Sequence, residues 1–220
     1  AERDITEVLM AKNSIKKGPG NGSKVEQLKE RGLAMESLIN CGSMYLFTVI
    51  FSIFGLIFLM PTIPAIAKIL LGIVFIAPVC IVQFTKGKNA GEKEYKLKNR
   101  TTLSDIHTQS IAKVNPFKSL VLVAPFLGSS ILLTVIAVAA KAKWLEGIML
   151  VLFAPVTMIF QGIGLIDFSG ENPQVTWFSV LAISIFAVVV SIAYVAGYFY
   201  GVYLLRKRSV ELINEIRSYE

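Results

Sequence analysis

From Val175 to Leu205 the chain runs for thirty-one residues without one charged side chain. Wound as a helix at 1.5 Å per residue, that run is about 46 Å long, more than the ~30 Å hydrocarbon core of a bilayer. Cys41–Met60 and Gly147–Ile166 are twenty residues each and equally uncharged, and Ser119–Ala140 is a further such run. Ala65–Phe84 contains one charge, Lys68, close enough to its start that it is expected to snorkel toward the headgroups. Of 220 residues 54% are apolar and only 17% charged, where soluble domains carry roughly a quarter charged. A water-soluble domain of this size has too little interior to hide so much apolar surface. Disorder and a disulfide-stapled secreted module are excluded by the same figures. The expected fold is all-α: a polytopic integral membrane protein with four or five transmembrane helices, a tight N-terminal hairpin and amphipathic polar ends.

The runs divide the chain. Residues 1–40 carry thirteen charges, seven basic and six acidic, and no apolar stretch like that of a cleavable signal peptide. Ile5, Val8 and Leu9 predict an amphipathic helix over 3–17, which Gly18-Pro19-Gly20-Asn21-Gly22 breaks. Ser23 and Glu26 form a capping-box pattern that opens a second helix leading toward the membrane. Residues 41–84 read as an antiparallel hairpin turned at Pro61-Thr62-Ile63-Pro64. Residues 85–118 read as a basic loop, eight cations against three acids, with a helix over 105–114. Asn115-Pro116 reads as an N-cap and first helical residue opening the second membrane unit, 119–205. The tail, 206–220, sets Val210, Ile213 and Ile216 along one helical face, suited to headgroups or a soluble partner.

Charge placement leaves two topologies open. Loops rich in Lys and Arg stay cytoplasmic, which places 1–40, 85–118 and the Arg206-Lys207-Arg208 cluster on one side. Three runs separate residue 118 from residue 206, and an odd number of crossings would put the tail outside. Either there are five spans, or one run fails to cross. The weakest run is 147–166, interrupted by Pro155, Gln161, Gly162 and Gly164, as a re-entrant helix would be. Irregular backbone at that depth survives only under cover of protein or water. The expectation is a plasma or bacterial inner membrane protein with a cytoplasmic N-terminus, basic loop and tail.

Chemistry is scarce. No Asp, Glu, Arg or His lies inside an apolar run, which argues against proton relays and ion-coupled transport. His107 is alone, so neither a metal site nor a catalytic triad can be built around it. Cys41 and Cys80 lack the spaced partners of a metal site or disulfide framework. No cofactor, metal or nucleic acid is expected, and catalysis is not.

The positive signals concern packing. Ala193, Gly197 and Gly201 repeat every four residues, a small-residue stripe that lets another backbone approach closely, within the chain or on a partner. Pro125, Ser129, Ser130 and Thr134, with Pro155, Thr157 and Gln161, form a candidate polar seam. It would either satisfy carbonyls freed by the prolines or line a narrow neutral pathway. Lys86, Lys88, Arg206, Lys207, Arg208, Tyr198 and Tyr203 are candidate interfacial anchors. The function expected is a non-catalytic membrane subunit or accessory of a larger secretion- or transport-type assembly. Its partners would be lipid and other subunits, or further copies of itself. The alternative is a small oligomeric channel or facilitator using the seam.

Overall fold

The computed structural model describes residues 32–57, 63–102, 115, 117–141, 143–165 and 177–218, the side chains of 98–102, 143, 146 and 212–218 excepted. The helices expected over 3–17, after Ser23 and over 105–114 lie outside the described residues. The chain divides into two compact units, Ala1–Met35 and Glu36–Glu220. Only Gly32–Met35 of the first is described, and the bundle that follows is the second.

Every described element is a helix: α1 Leu33–Leu56, α2 Ala65–Thr102, α3 Phe117–Ala140, α4 Lys143–Leu152, α5 Ala154–Gly162 and α6 Trp177–Ser218. Helices suit lipid because each satisfies its own backbone hydrogen bonds. Four of them, α1, α2, α3 and α6, are long and apolar enough to cross a membrane. Outward-facing Leu46, Ile53, Leu70, Leu132, Leu181 and Ile192 are each more than half exposed. In water so many would form a sticky surface, whereas in lipid they are solvated.

The run 147–166 is not a fifth crossing. It divides at Phe153 into α4 and α5, about 15 and 14 Å long, each half of what a span needs. The end of α5 lies beside the start of α2: a Cβ on Gly162 would meet the carbonyl oxygen of Ala65 and the side chain of Ile69. Trp144, at the start of α4, shares a groove with Val49 and Ile53 of α1. The pair therefore enters and leaves at one end of the bundle, where α1 and α3 finish and α2 and α6 begin. Phe153 and Ala154 are fully buried, so protein covers the break.

Polar side chains of α1 repair what the prolines break. Pro125 has no N–H to offer the carbonyl of Val121 one turn earlier. The hydroxyl of Ser37 donates to that oxygen instead (2.8 Å), and the Asn40 amide donates to the next carbonyl, Leu122 (2.9 Å). At the α4–α5 break the Ser52 hydroxyl donates to the carbonyl of Leu152 (2.6 Å). Tyr45 completes the α1–α3 contact, its hydroxyl 2.7 Å from Ser129 Oγ and 3.0 Å from Ser130 Oγ. Rising numbers on α1 meet rising numbers on α3, so these helices are parallel.

Met44, Val79, Phe126, Phe153, Ile183, Phe186 and Val190 fill the core, all at 2% exposure or less. Phe153 meets Phe186 edge-on at 5.7 Å, and Tyr45 meets Phe126 at 5.0 Å. Asn115 behaves as the sequence implies: its side-chain oxygen accepts the Phe117 N–H at 3.1 Å, capping α3.

Candidate functional site

The densest polar chemistry lies where α2 and α6 cross, and glycines make that crossing. A Cβ built on Gly197 would fall 2.0 Å from the Phe84 carbonyl oxygen, and one on Gly201 would fall 2.2 Å from that of Lys88. Reciprocally, a Cβ on Gly87 would fall 2.0 Å from the Tyr194 oxygen and one on Gly91 2.2 Å from that of Tyr198. Each helix thus presents two glycines one turn apart to the carbonyls of the other. In lipid, such backbone contact replaces the hydrophobic drive that holds helices together in water. Residue numbers rise together on the two helices, so α2 and α6 run in the same direction.

The stripe Gly197/Gly201 is therefore used inside the chain. Its partner, Gly87-Lys88-Asn89-Ala90-Gly91, has the same spacing and lies in the segment expected to be loop. Residues 85–102 are instead a continuation of α2. Charged residues in this stretch conceal a helix whose glycine face is as close-packed as any in the bundle.

Just beyond the crossing, one charge network touches all four spans. The Tyr198 hydroxyl donates to Glu94 Oε2 at 2.5 Å, and Lys118 Nζ lies 3.3 Å from the same oxygen. Lys118 also reaches Glu36 Oε2 at 3.7 Å, and Lys93 reaches Glu36 Oε1 at 3.7 Å. Glu36 belongs to α1, Lys93 and Glu94 to α2, Lys118 to α3 and Tyr198 to α6. Glu94 is 5% exposed and Tyr198 wholly buried, so this carboxylate depends on its lysine and phenol for what water no longer provides. Chemically the cluster is a clamp, opposite charges and a phenol alternating across four helices.

Tyr198 is thus no interfacial anchor: its ring is packed inside, because the glycines bring α2 close enough for its hydroxyl to reach Glu94. Tyr203 is 59% exposed and points outward, and Arg206, Lys207 and Arg208 are exposed beyond it. Lys86 Nζ sits over the Phe47 ring at 4.6 Å, while Lys88 pairs loosely with Glu92 at 3.9 Å. Lys68 is 5% exposed, on the face of α2 that α5 covers, so protein and not lipid surrounds its stem.

The seam residues fall into two groups with different neighbours. Ser129 and Ser130 meet Tyr45 of α1, and Ser129 and Thr134 also donate to carbonyls one turn earlier in α3, Pro125 and Ser130, both at 2.6 Å. Pro155 lies against Gly72 of α2 and Gly55 of α1, and Thr157 donates to the Phe153 carbonyl at 3.0 Å. Gln161 Oε1 is buried without a hydrogen-bond partner among the described residues.

Sequence reasoning missed Gln83. It is fully buried, and neither its amide nitrogen nor its oxygen has a partner among the described residues. It precedes Gly87 by one turn on the face that α6 covers. The buried hydroxyl of Ser191, one turn before Tyr194 on α6, is likewise unpartnered among the described residues. An amide in an otherwise apolar run, four residues before a glycine, was the available signal.

Comparison with known proteins returned no matching family model, no similar characterised sequence and no similar solved structure.

Proposed function

We propose that this chain is a non-catalytic integral membrane subunit or accessory of a larger assembly of the secretion or transport type. The observation that carries this reading is the glycine-locked α2–α6 pair. At 38 and 42 residues the two helices are about 57 and 63 Å long, roughly twice the hydrocarbon thickness. Their excess length leaves the bundle on one side as two neighbouring polar helices, a shape suited to engaging a partner outside the bilayer. Within the bundle, the hydroxyls of Ser37, Ser52, Thr134 and Thr157 and the amide of Asn40 are spent on backbone carbonyls, a use that serves packing. The side bearing the cluster is read as cytoplasmic, because it carries Lys86–Arg100 and Arg206–Arg208, in a plasma or bacterial inner membrane.

Gentle extraction, affinity purification of the full chain and native mass analysis test this. Defined proteins should co-purify, and fewer should do so when residues 206–220 are deleted. A monomer that retains nothing from its own membrane would sink the proposal.

A second reading, a small facilitator, is favoured by one observation: Gln83 and Ser191 place polar atoms without partners among the described residues on the α2 and α6 faces just ahead of their crossing. Liposome flux of small neutral solutes that is abolished by Gln83→Leu would support it, and absence of any flux would remove it.

A further inference from the structure

Two basic segments lying over a hundred residues apart in sequence meet in the fold. The Lys88 carbonyl abuts Gly201, the Gly87 face abuts Tyr194, and both helices run the same way. Counting along both helices from these contacts puts Arg206–Arg208 level with residues 93–101 of α2. The geometry points to a binding surface for anionic lipid headgroups there, formed by Lys93 and Lys96 on α2 and Arg206–Arg208 on α6.

Depth and charge both favour lipid as the occupant. Immediately before the cations, Phe199, Tyr200 and Tyr203 of α6 are each more than 40% exposed, and Tyr200 leans on Phe84 with ring centroids 5.7 Å apart. Aromatic rings facing outward at the end of an apolar run mark the headgroup level. The cations that follow within two turns are then at phosphate depth or just beyond it.

With Lys98 and Arg100, which follow in the sequence of α2, the local balance is seven cations against the carboxylates of Glu36, Glu92, Glu94 and Glu211, and Glu36 is shared between Lys93 and Lys118 in the clamp. Glu94 is turned inward on Tyr198, so it is withdrawn from the surface. Glu92 lies 3.9 Å from both Lys88 and Lys96, and Glu211 lies 3.9 Å from Lys207. These are open, one-turn pairs, which water screens strongly. Neither Arg206 nor Arg208 has a carboxylate partner among the described residues. A surface so unbalanced, held at that depth by a rigid helix pair, attracts the negative charge of phosphatidylglycerol or phosphatidylserine headgroups.

The test uses the full chain reconstituted in phosphatidylcholine vesicles, with trace spin-labelled phosphatidylglycerol or spin-labelled phosphatidylcholine. The fraction of each label immobilised at the protein is compared. The wild-type chain should prefer the anionic label by roughly fivefold or more, the worth of about one well-placed cation. The preference should shrink in 1 M salt, where screening shortens to ~3 Å. R206Q/K207Q/R208Q should lower it at least about threefold, and K96Q/K98Q/R100Q on the other helix should do the same. Lys141→Asn, an exposed cation at the opposite end whose φ of 49° asparagine tolerates, should leave it unchanged. Equal immobilisation of the two labels by the wild-type chain overturns the inference. So does a preference that survives both triple variants, or retention of an acidic protein or RNA with no lipid preference.

Discussion

Gly197→Ala adds one methyl group and should loosen the whole bundle. The new Cβ would sit 2.0 Å from the Phe84 carbonyl oxygen, whereas ordinary contact begins at 3.4 Å. The nearest obstacle is backbone, which cannot swing aside like a side chain. Relief therefore requires α2 and α6 to part locally by about 1.4 Å. That displacement opens the facing contacts of Gly87, Gly91 and Gly201 and draws Tyr198 away from Glu94. Overpacking of this kind costs about 1–3 kcal/mol. Unfolding by SDS in mixed micelles, followed by helical circular dichroism, measures it. Gly197→Ala should unfold at clearly lower SDS than the wild-type chain. Gly128→Ala, where nothing lies within 4 Å of the new methyl, should unfold where the wild type does or slightly later. The double variant Gly87→Ala/Gly197→Ala should cost less than the two singles added, because helices parted by one methyl accommodate the second. An unchanged midpoint for Gly197→Ala, or strict additivity in the double variant, would refute the close approach.

Other consequences are open to the same measurements. Tyr198→Phe removes a buried hydrogen bond to a carboxylate and should cost about 1.5–3 kcal/mol in the SDS assay; no loss would mean that the Glu94 contact is not made. Ser52→Ala leaves the Leu152 carbonyl unpaired at the α4–α5 break and should cost about 1 kcal/mol, toward the lower end of buried hydrogen bonds because membrane values run small. Asn115→Ala removes the α3 cap and should cost about 1 kcal/mol, with Asn115→Asp restoring most of it. Single cysteines at Lys141 and Gly164 should react with an impermeant maleimide from one side of sealed vesicles, and one at Arg206 from the other. Labelling of Lys141 and Gly164 from opposite sides would restore a fifth crossing.

The spans were legible because charge is so costly in lipid that its absence marks them almost by itself. The irregularity of 147–166 was legible too, in Pro155 and the glycines near it, although a charge count alone left four and five spans open. The course of α2 past Phe84 was hidden for the converse reason. Lys86, Lys88, Glu92 and Lys93 look like loop in a hydropathy profile, yet Gly87, Gly91 and Tyr95 mark a buried stripe every fourth residue. Tyr198 was misplaced because tyrosine near the end of a run is equally at home in the headgroup belt or in a core. Only the backbone approach at Gly197 decides between them. The charge clamp was invisible, since its members are spread from Glu36 to Tyr198 and nothing local couples them. Gln83 could have been singled out, but one amide in an apolar run carries little weight until its surroundings are known.

The shared direction of α2 and α6 has a consequence for biogenesis. Ribosomes extend a chain at roughly 5–20 residues per second, and about a hundred residues separate Gly87 and Gly91 from the carbonyls they are shaped to meet. For roughly 5–20 seconds after α2 leaves the exit tunnel its notch is vacant, with Glu94 still lacking its phenol. During that interval the nascent protein must be sheltered by the insertion machinery or tolerate a half-built membrane domain, so α2 stays incomplete until the much later α6 reaches it.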